Sequence, residues 1–510
     1  MSKYFLVFLA LLTTHACSHK NSDSHSAARS TASLNELLSE SVFQTTNLQW
    51  LRNLDSQYQA AALSPTNCAQ NMKNLVESVA RFNPALLQKS WIESYGSIAI
   101  KDLANFRFTA NTQISQVPVS CRVYAGDLFG RLRDIEDYVG ETYYKIHPLQ
   151  GDKVDFKKQA VPLLETTKYN PYHLNPKYKD FQFQPGDIMI TRGISFMSAA
   201  IAQSTTLPSK FSHGVFVYDD GSGKIQTIES YIQTGVEFFS IEDALKNENA
   251  RIMVFRAKDP SLAQKANDMM GEEIKSRRDK KTGSLTYDYD ANIEDHSRLT
   301  CIEIPYAAFE LASKDSVKMP QAPSEMMLKK KDITQGLKVK PGPIFSPFNL
   351  ETDDRFELVV DWTDYRLSQD QRNKDLLVRK MFDLIENEDY VIQENMNSIA
   401  ARAIWKSRSI KPLWSLLGGF GNLNKLPAEM PLQQITITAK LYKSAGIFLQ
   451  ALRDWQAKTP GKIYTNQEIR RWLDEYVARD RENYIQRRRA DLHIYFRPFS
   501  LRQQHFGEGA

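Results

Sequence analysis

Phe211-Ser212-His213-Gly214-Val215-Phe216-Val217 is an apolar run with one histidine near its start, and it reads as a buried β-strand. Asp219-Asp220-Gly221-Ser222-Gly223 follows as turn chemistry. Ile225 to Ile232 is then a second strand, with Glu229 in Thr227-Ile228-Glu229-Ser230. The interval from His213 to Glu229 suits neighbouring strands joined by a hairpin. Further on, Leu299-Thr300-Cys301-Ile302-Glu303 opens a stretch that reads as helix through Ala312.

This order, histidine then carboxylate then cysteine, carries the chemical argument. A thiol needs a base to become a thiolate nucleophile, and the base needs a partner to orient it. Each residue alone has a plainer reading. A single histidine beside an apolar run is ordinarily structural, and a carboxylate at a strand end is ordinarily solvated. Cys301 gains from standing at a helix N-terminus, whose partial positive charge favours a thiolate. Pro305 is compatible with that helix only if it begins near the cysteine, because proline lacks the backbone donor.

Outward from these strands the middle of the chain alternates. Pro185-Gly186-Asp187 is a turn leading into the strand Ile188-Met189-Ile190, and 195–203 reads as helix. Ala250 to Arg256 adds a strand, and Ser261 to Ser276 a helix ending in a solvated turn at Arg277-Arg278-Asp279-Lys280-Lys281. Residues 315–343, rich in Lys and Pro, read as a surface excursion, and Phe356 to Trp362 as one more strand. Before this region, 33–150 reads as helical, with Leu128, Leu132, Ile135 and Val139 on one stripe, and 151–184 as a polar connector. After it, 366–510 is helical again. Ser368 with Gln371 and Thr465 with Glu468 have capping-box spacing, and Ile437, Leu441, Phe448, Leu452 and Trp455 form a second stripe.

The chain has 510 residues, a length that suggests roughly three domains. A net charge of +5 spread over that length argues against a dedicated nucleic-acid binder. Lys3 and the apolar run from Phe5 to Leu12 have the character of an export signal. Thr14-His15-Ala16-Cys17 resembles a bacterial lipobox, so 1–17 reads as a lipoprotein signal with Cys17 as the lipidated residue. Cleavage after Ala16 without lipidation is the alternative. Residues 18–32 read as a flexible tether, and no later run is apolar enough to span a membrane. The expected location is therefore the bacterial cell envelope, lipid-anchored. In an oxidising compartment Cys68 and Cys121 could pair, leaving Cys301 as the odd thiol; all three reduced is the other reading.

The stretch from Pro185 to Trp362 resembles the permuted NlpC-type papain-like cysteine hydrolases, the YiiX/YebB-like group. The resemblance rests on Pro185-Gly186-Asp187, Ser212-His213-Gly214-Val215, Ile228-Glu229, Cys301-Ile302-Glu303-Ile304 and the pair Tyr287-Asp288. In this group the histidine precedes the cysteine, the reverse of ordinary papain-like enzymes. The chain departs from the pattern in Gly214, in Ile302 where serine is usual, and in Pro305 where an aliphatic residue is usual. The resemblance implies an α+β fold: a circularly permuted papain-like domain with an antiparallel sheet over 185–365, flanked by N- and C-terminal helical domains. It implies Cys301 as nucleophile, His213 as base and then acid, and Glu229 as the group orienting the imidazole. Tyr287 could line the substrate pocket, against a plainer reading as core. Glu303 reads as a brace for the helix start.

Three further signals are weaker. Asp288, Asp290, Asn292 and Glu294 mimic the first ligands of a calcium loop, but Ile293 and Leu299 stand where that loop needs glycine and glutamate. Gly418-Gly419-Phe420-Gly421 lacks the lysine of a phosphate loop. Arg487-Arg488-Arg489 reads as a solvated helix face. The expectation is thus an envelope cysteine hydrolase that cleaves an amide bond in a cell-wall stem-type peptide, with no cofactor, no metal and no nucleic-acid partner. A thiol-dependent lipid acyl hydrolase or acyltransferase is the second reading. A scaffold lipoprotein with a vestigial site is the third.

Overall fold

The structure is a computed structural model that describes residues 53–147, 172–314, 319–330, 342–393 and 432–504. Within these ranges 65, 233, 246–248 and 280–284 are omitted, and outside them 316, 334, 399, 402, 403 and 406 are described singly. The readings of a signal, of lipidation at Cys17, of the tether, and of the loop at Gly418 lie outside the described residues.

The first helices are α1 (Leu54–Ala62), α2 (Cys68–Arg81), α3 (Lys89–Gln113) and α4 (Val119–Ile146). The stripe Leu128, Leu132, Ile135 and Val139 is buried on α4, packed with Ile92, Ile100 and Leu103 of α3. Cys68 at the head of α2 is disulfide-bonded to Cys121 in the first turn of α4, which ties the two helices together.

A seven-stranded, wholly antiparallel sheet follows, in the order β1-β9-β6-β2-β3-β4-β5. Its strands are β1 (Tyr172–Leu174), β2 (Ile188–Gly193), β3 (His213–Asp219), β4 (Ile225–Tyr231), β5 (Gly235–Ser240), β6 (Asn249–Ala257) and β9 (Phe356–Thr363). The short pair β7 (Ser324–Glu325) and β8 (Pro343–Ile344) stands apart from it. Against the sheet pack α6 (Ile241–Leu245), α7 (Pro260–Asp279) and α8 (Glu303–Ser313), whereas α5 (Phe196–Ala202) packs against the helix Tyr365–Glu388. The chain ends in α9 (Tyr365–Glu388), β10 (Tyr390–Ile392), α10 (Leu432–Ala457), α11 (Asn466–Ile485), β11 (Phe496–Pro498) and α12 (Phe499–Gln504). The protein is thus mixed α+β, an antiparallel sheet with helices flanking it.

One sheet face is apolar along part of its length and ionic along the rest. Ile188, Ile190, Phe216, Ile228, Met253 and Phe255 meet Ala266 and Met270 of α7 and Ile304 and Phe309 of α8. Continuing along the same pleats, Arg192, Arg251 and Asp361 are buried without leaving the sheet. Arg107 of α3 bonds Asp361 of β9 through Nε at 2.8 Å and also bonds Glu136 of α4. Arg251 bonds Asp137, and Arg133 reaches Glu351 at 2.5 Å. Arg192 bonds Asp375, and Arg372 bonds Glu141 at 2.5 Å. Buried charge is tolerated only when paired, so these bridges fix how α3, α4 and α9 sit on the sheet. The opposite face buries Met189, Val215, Ile252, Val254 and Trp362 beneath α6.

Several expectations are corrected. The end of the connector is not irregular: Tyr172–Leu174 pairs with β9 as an edge strand, a segment too short to show a period. β5 was not anticipated, and it completes a hairpin with β4. α7 runs through Asp279, so Arg277 continues the helix instead of turning; it pairs with Glu273 one turn earlier. The excursion at 315–343 is not wholly superficial, since Met319, Met326, Met327 and Leu328 are buried, the first against the sheet and the last two against α9 and α11. Ser368 is no cap. α9 begins at Tyr365 behind Asp364, whose side chain accepts from Arg366, while Ser368 lies one turn inside and donates to Glu141 at 2.9 Å. The capping box of Thr465 and Glu468 does form. On α10, Phe448 and Leu452 are buried, with Leu441 and Trp455 packed beside them.

Candidate active site

His213 is the first residue of β3, and Glu229 lies on the adjacent β4. The imidazole Nε2 and Glu229 Oε2 are 2.8 Å apart. Glu229 is itself held from two sides on its own strand: Thr227 donates to Oε1 at 2.8 Å and Tyr231 to Oε2 at 2.7 Å. Because side chains alternate along a strand, Thr227, Glu229 and Tyr231 share one face. The Tyr231 ring also stacks on His213, with centroids 5.2 Å apart and planes inclined by 27°. Tyr231 therefore fixes both the carboxylate and the imidazole. Sequence reasoning missed it, although the period of two from Thr227 to Tyr231 was the available signal.

Cys301 is buried in the turn just before α8, which starts at Glu303. The helix thus begins two residues later than expected, with Ile302 as its flanking residue. Pro305 then falls in the first turn, where its missing donor breaks no helical bond. The Glu303 carboxylate turns back to accept from the Thr300 amide at 2.6 Å, bracing the loop that carries the thiol. Burial pushes Glu303 up to about 7 against that hydrogen bond. Ser230 of β4 donates to Leu299 O at 2.8 Å, pinning the same loop to the strand beside Glu229.

Cys301 acts directly on His213. Burial opposes a charge on the imidazole, but the Cys301 thiolate and hydrogen bonds to Cys301 and Glu229 outweigh it, raising His213 from 6.5 to about 10. Since Nε2 faces Glu229, the nitrogen left for Cys301 is Nδ1. Cys301 Sγ also lies 3.9 Å from Ser212 O. His213 keeps 17% of its side chain exposed, and Glu229 is closed off behind it. The sequence-nominated trio therefore converges.

Gly214 makes the approach of this loop physically reasonable. A Cβ there would lie 2.8 Å from Ile302 Cδ1, 3.0 Å from Ile302 Cα and 3.2 Å from Cys301 O. The missing side chain at 214 is the space into which the cysteine turn settles.

Tyr287 is half-buried beside the thiol. Burial, with the negative charges of Cys301 and Glu303, pushes its hydroxyl well above the usual value, so it stays a neutral donor. The loop behind it is self-braced. Asp288 accepts from the amides of Asp290 at 2.9 Å and Asn292 at 2.6 Å, and Arg298 pairs with Asp290 at 3.1 Å and Asp295 at 3.4 Å. These carboxylates therefore have structural partners of their own.

The first turns of α10 border this region. Ile435 is buried in a small apolar cluster with Ile232, Tyr289, Leu432 and Ala439, separate from the main cores. Gln434 donates to Tyr289 O at 3.0 Å, and Tyr289 donates to Ile232 O at 2.9 Å. Ile232 follows Tyr231, and the Tyr289 ring lies 5.4 Å from that of Tyr287. This small apolar wall thus adjoins Tyr287 and follows directly on Tyr231.

Comparison of the chain with protein-family models, with curated proteins and with solved structures finds no match.

Proposed function

We propose that the protein is a cysteine hydrolase of the permuted papain-like type, acting on an amide bond through Cys301, His213 and Glu229. The observation that carries this reading is an imidazole held 2.8 Å from Glu229 through Nε2 and acted on by Cys301. In this mechanism the Cys301 thiolate adds to the carbonyl carbon. The resulting tetrahedral intermediate expels the amine, which takes the proton from the His213 imidazolium. Water, deprotonated by the now neutral imidazole, releases the acid and restores the thiolate and imidazolium. Glu229 keeps the ring oriented and compensates its charge. Tyr287, a neutral hydroxyl beside the sulfur, is suited to donate to the substrate.

The substrate class follows from the envelope location read in the N-terminal sequence: a peptide of the cell-wall stem type. A second reading has its own support in the apolar wall of Ile232, Tyr289, Leu432 and Ile435, which would suit an acyl chain. On that reading the same thioester would carry a fatty acyl group from an ester or amide to water or another acceptor. The scaffold reading gains nothing from a histidine acted on by the cysteine.

The test is incubation of the protein, and of its Cys301→Ala variant, with cell-wall fragments and envelope lipids, resolved by mass spectrometry. Cys301-dependent release of stem-peptide pieces supports the amidase. Cys301-dependent free fatty acid or acylated acceptor moves the protein to the acyl class. Identical products from both proteins overturn the catalytic reading.

A further inference from the structure

The arginine run near the C-terminus is not on a helix face. α11 ends at Ile485, and the chain then turns sharply, with Arg487 in the left-handed region at φ 54°. The amide of Arg488 bonds Asn483 O at 2.8 Å, which tightens the turn. Arg487, Arg488 and Arg489 are all displayed to solvent by it. Asp491 lies 3.6 Å from Arg489, Glu482 accepts from Gln486, and Arg487 has a contact of its own.

Large apolar side chains stand among these cations. Ile485 is 52% exposed and Ile494 48%. Arg497 links the two, since its guanidinium lies 5.1 Å over the Tyr484 ring and bonds Ile494 O at 3.0 Å. Lys443 of α10 adds another cation, 5.5 Å from the Tyr495 ring. One exposed isoleucine is ordinary. Two exposed isoleucines bridged through Arg497 and set among arginines have the composition of a surface that meets an anionic bilayer. Guanidinium is weakly hydrated and bonds phosphate through two donors, which suits it to lipid headgroups.

We propose that this end of the molecule docks onto an anionic lipid surface, with Ile485 and Ile494 entering the headgroup region and Arg487 to Arg489 meeting phosphates. α10 connects it to the candidate site: Gln434 touches the Tyr289 wall, and Lys443 sits at the docking end. The step of nine residues from one to the other spans roughly 14 Å of helix. Resting on the proposed hydrolase reading, docking would hold the Cys301 site close to a bilayer-borne substrate.

The test uses the full chain, Arg487→Glu/Arg488→Glu and Ile485→Ser/Ile494→Ser. Each is sedimented with vesicles of phosphatidylcholine alone or mixed with phosphatidylglycerol. Any affinity of the N-terminal apolar segment is common to all three proteins, so the differences report this surface. Each basic residue near such a membrane contributes about fivefold, so the arginine variant should lose at least roughly thirtyfold on the anionic vesicles and little on the neutral ones. The isoleucine variant should weaken on both. Unchanged melting temperatures would show that the variants are folded. Equal sedimentation of wild type and arginine variant, or no preference for phosphatidylglycerol, overturns the proposal. Binding to dextran sulfate with none to vesicles also overturns it, in favour of a soluble acidic polymer. Cys301→Ala should sediment like wild type, so loss of turnover and loss of docking are separate outcomes.

Discussion

Gly214 and Ile302 occupy one space between them: a Cβ on the first would sit 2.8 Å from Cδ1 of the second. Both positions depart from the pattern the chain otherwise resembles, where a serine stands at 302. The two departures are complementary, since the larger side chain on the cysteine loop fills the room left by the glycine on the strand. Gly214→Val should push that loop off β3 and separate Cys301 from His213, lowering kcat by about a hundredfold while the fold survives. Adding Ile302→Ser should restore part of the rate. The 3.0 Å approach to Ile302 Cα keeps the rescue incomplete. An active Gly214→Val enzyme would show that the close approach is unnecessary.

Two of the contacts of Tyr231, those to Glu229 and His213, can be cut separately. Tyr231→Phe keeps the ring over His213 but removes the hydroxyl donated to Glu229 at 2.7 Å. A hydrogen bond to a charged group is worth about 1.5–3 kcal/mol, so kcat should fall roughly tenfold or more with KM little changed. Tyr231→Leu should cost more, because the imidazole loses its stacking partner as well. If both variants keep full kcat, Tyr231 is only a core residue.

Local chemistry made much of this legible in the sequence. His213, Glu229 and Cys301 are named by type and order, and the hairpin between the first two follows from Asp219 to Gly223. What escaped depends on distant partners. Tyr172–Leu174 is a strand only because β9 offers it an edge. Ser368 has the spacing of a cap, yet Glu141, far off in sequence, takes its hydroxyl. The cysteine helix begins late because Glu303 bonds back to Thr300, a choice that spacing alone does not reveal.

The disulfide between Cys68 and Cys121 closes a loop with a sequence separation of 53. Loop-closure entropy for such a length gives about 4 kcal/mol. Reduction, or Cys68→Ser/Cys121→Ser, should lower the melting temperature measured by calorimetry and leave Cys301-dependent chemistry intact. An unchanged melting temperature would mean that helix packing alone sets the stability of α2 against α4.

Asp361 sits between sheet and helices with Arg107 against it. Burial disfavours its charge, but Arg107, then Arg133 and Arg251, outweigh this and hold the carboxyl below its usual value. Asp361→Asn removes the negative charge and leaves Arg107 facing Glu136 alone. Breaking a buried pair in this way costs about 3–5 kcal/mol, readable as a shift in the urea midpoint. The depressed carboxyl also fixes a sign: its contribution is present above the unfolded aspartate value of 3.8 and is lost as pH falls through the lower folded one. The stability difference between wild type and Asp361→Asn should therefore shrink in acid. A constant difference down to the acid transition would place the cost in packing.

The imidazole of His213 gives the opposite sign at the other end of the pH scale. Its folded value is about 10 against an ordinary 6.5, because the Cys301 thiolate and the hydrogen bonds to Cys301 and Glu229 overcome its burial. A raised value means that the charged ring stabilises the folded chain fully below 6.5. That contribution declines as pH rises and is gone once pH passes about 10. The Cys301→Ser variant removes the thiolate while leaving Glu229 in place. Its stability should therefore fall less between neutral and alkaline pH than that of the wild type, in urea titrations run at matched ionic strength. The same titration should close the activity window, since an imidazolium is needed to protonate the departing amine. Turnover should hold through neutral pH and fall as pH approaches 10. Parallel stability profiles for the two proteins would mean that thiol and imidazole do not share a charge, and the mechanism proposed for this site would fail with them.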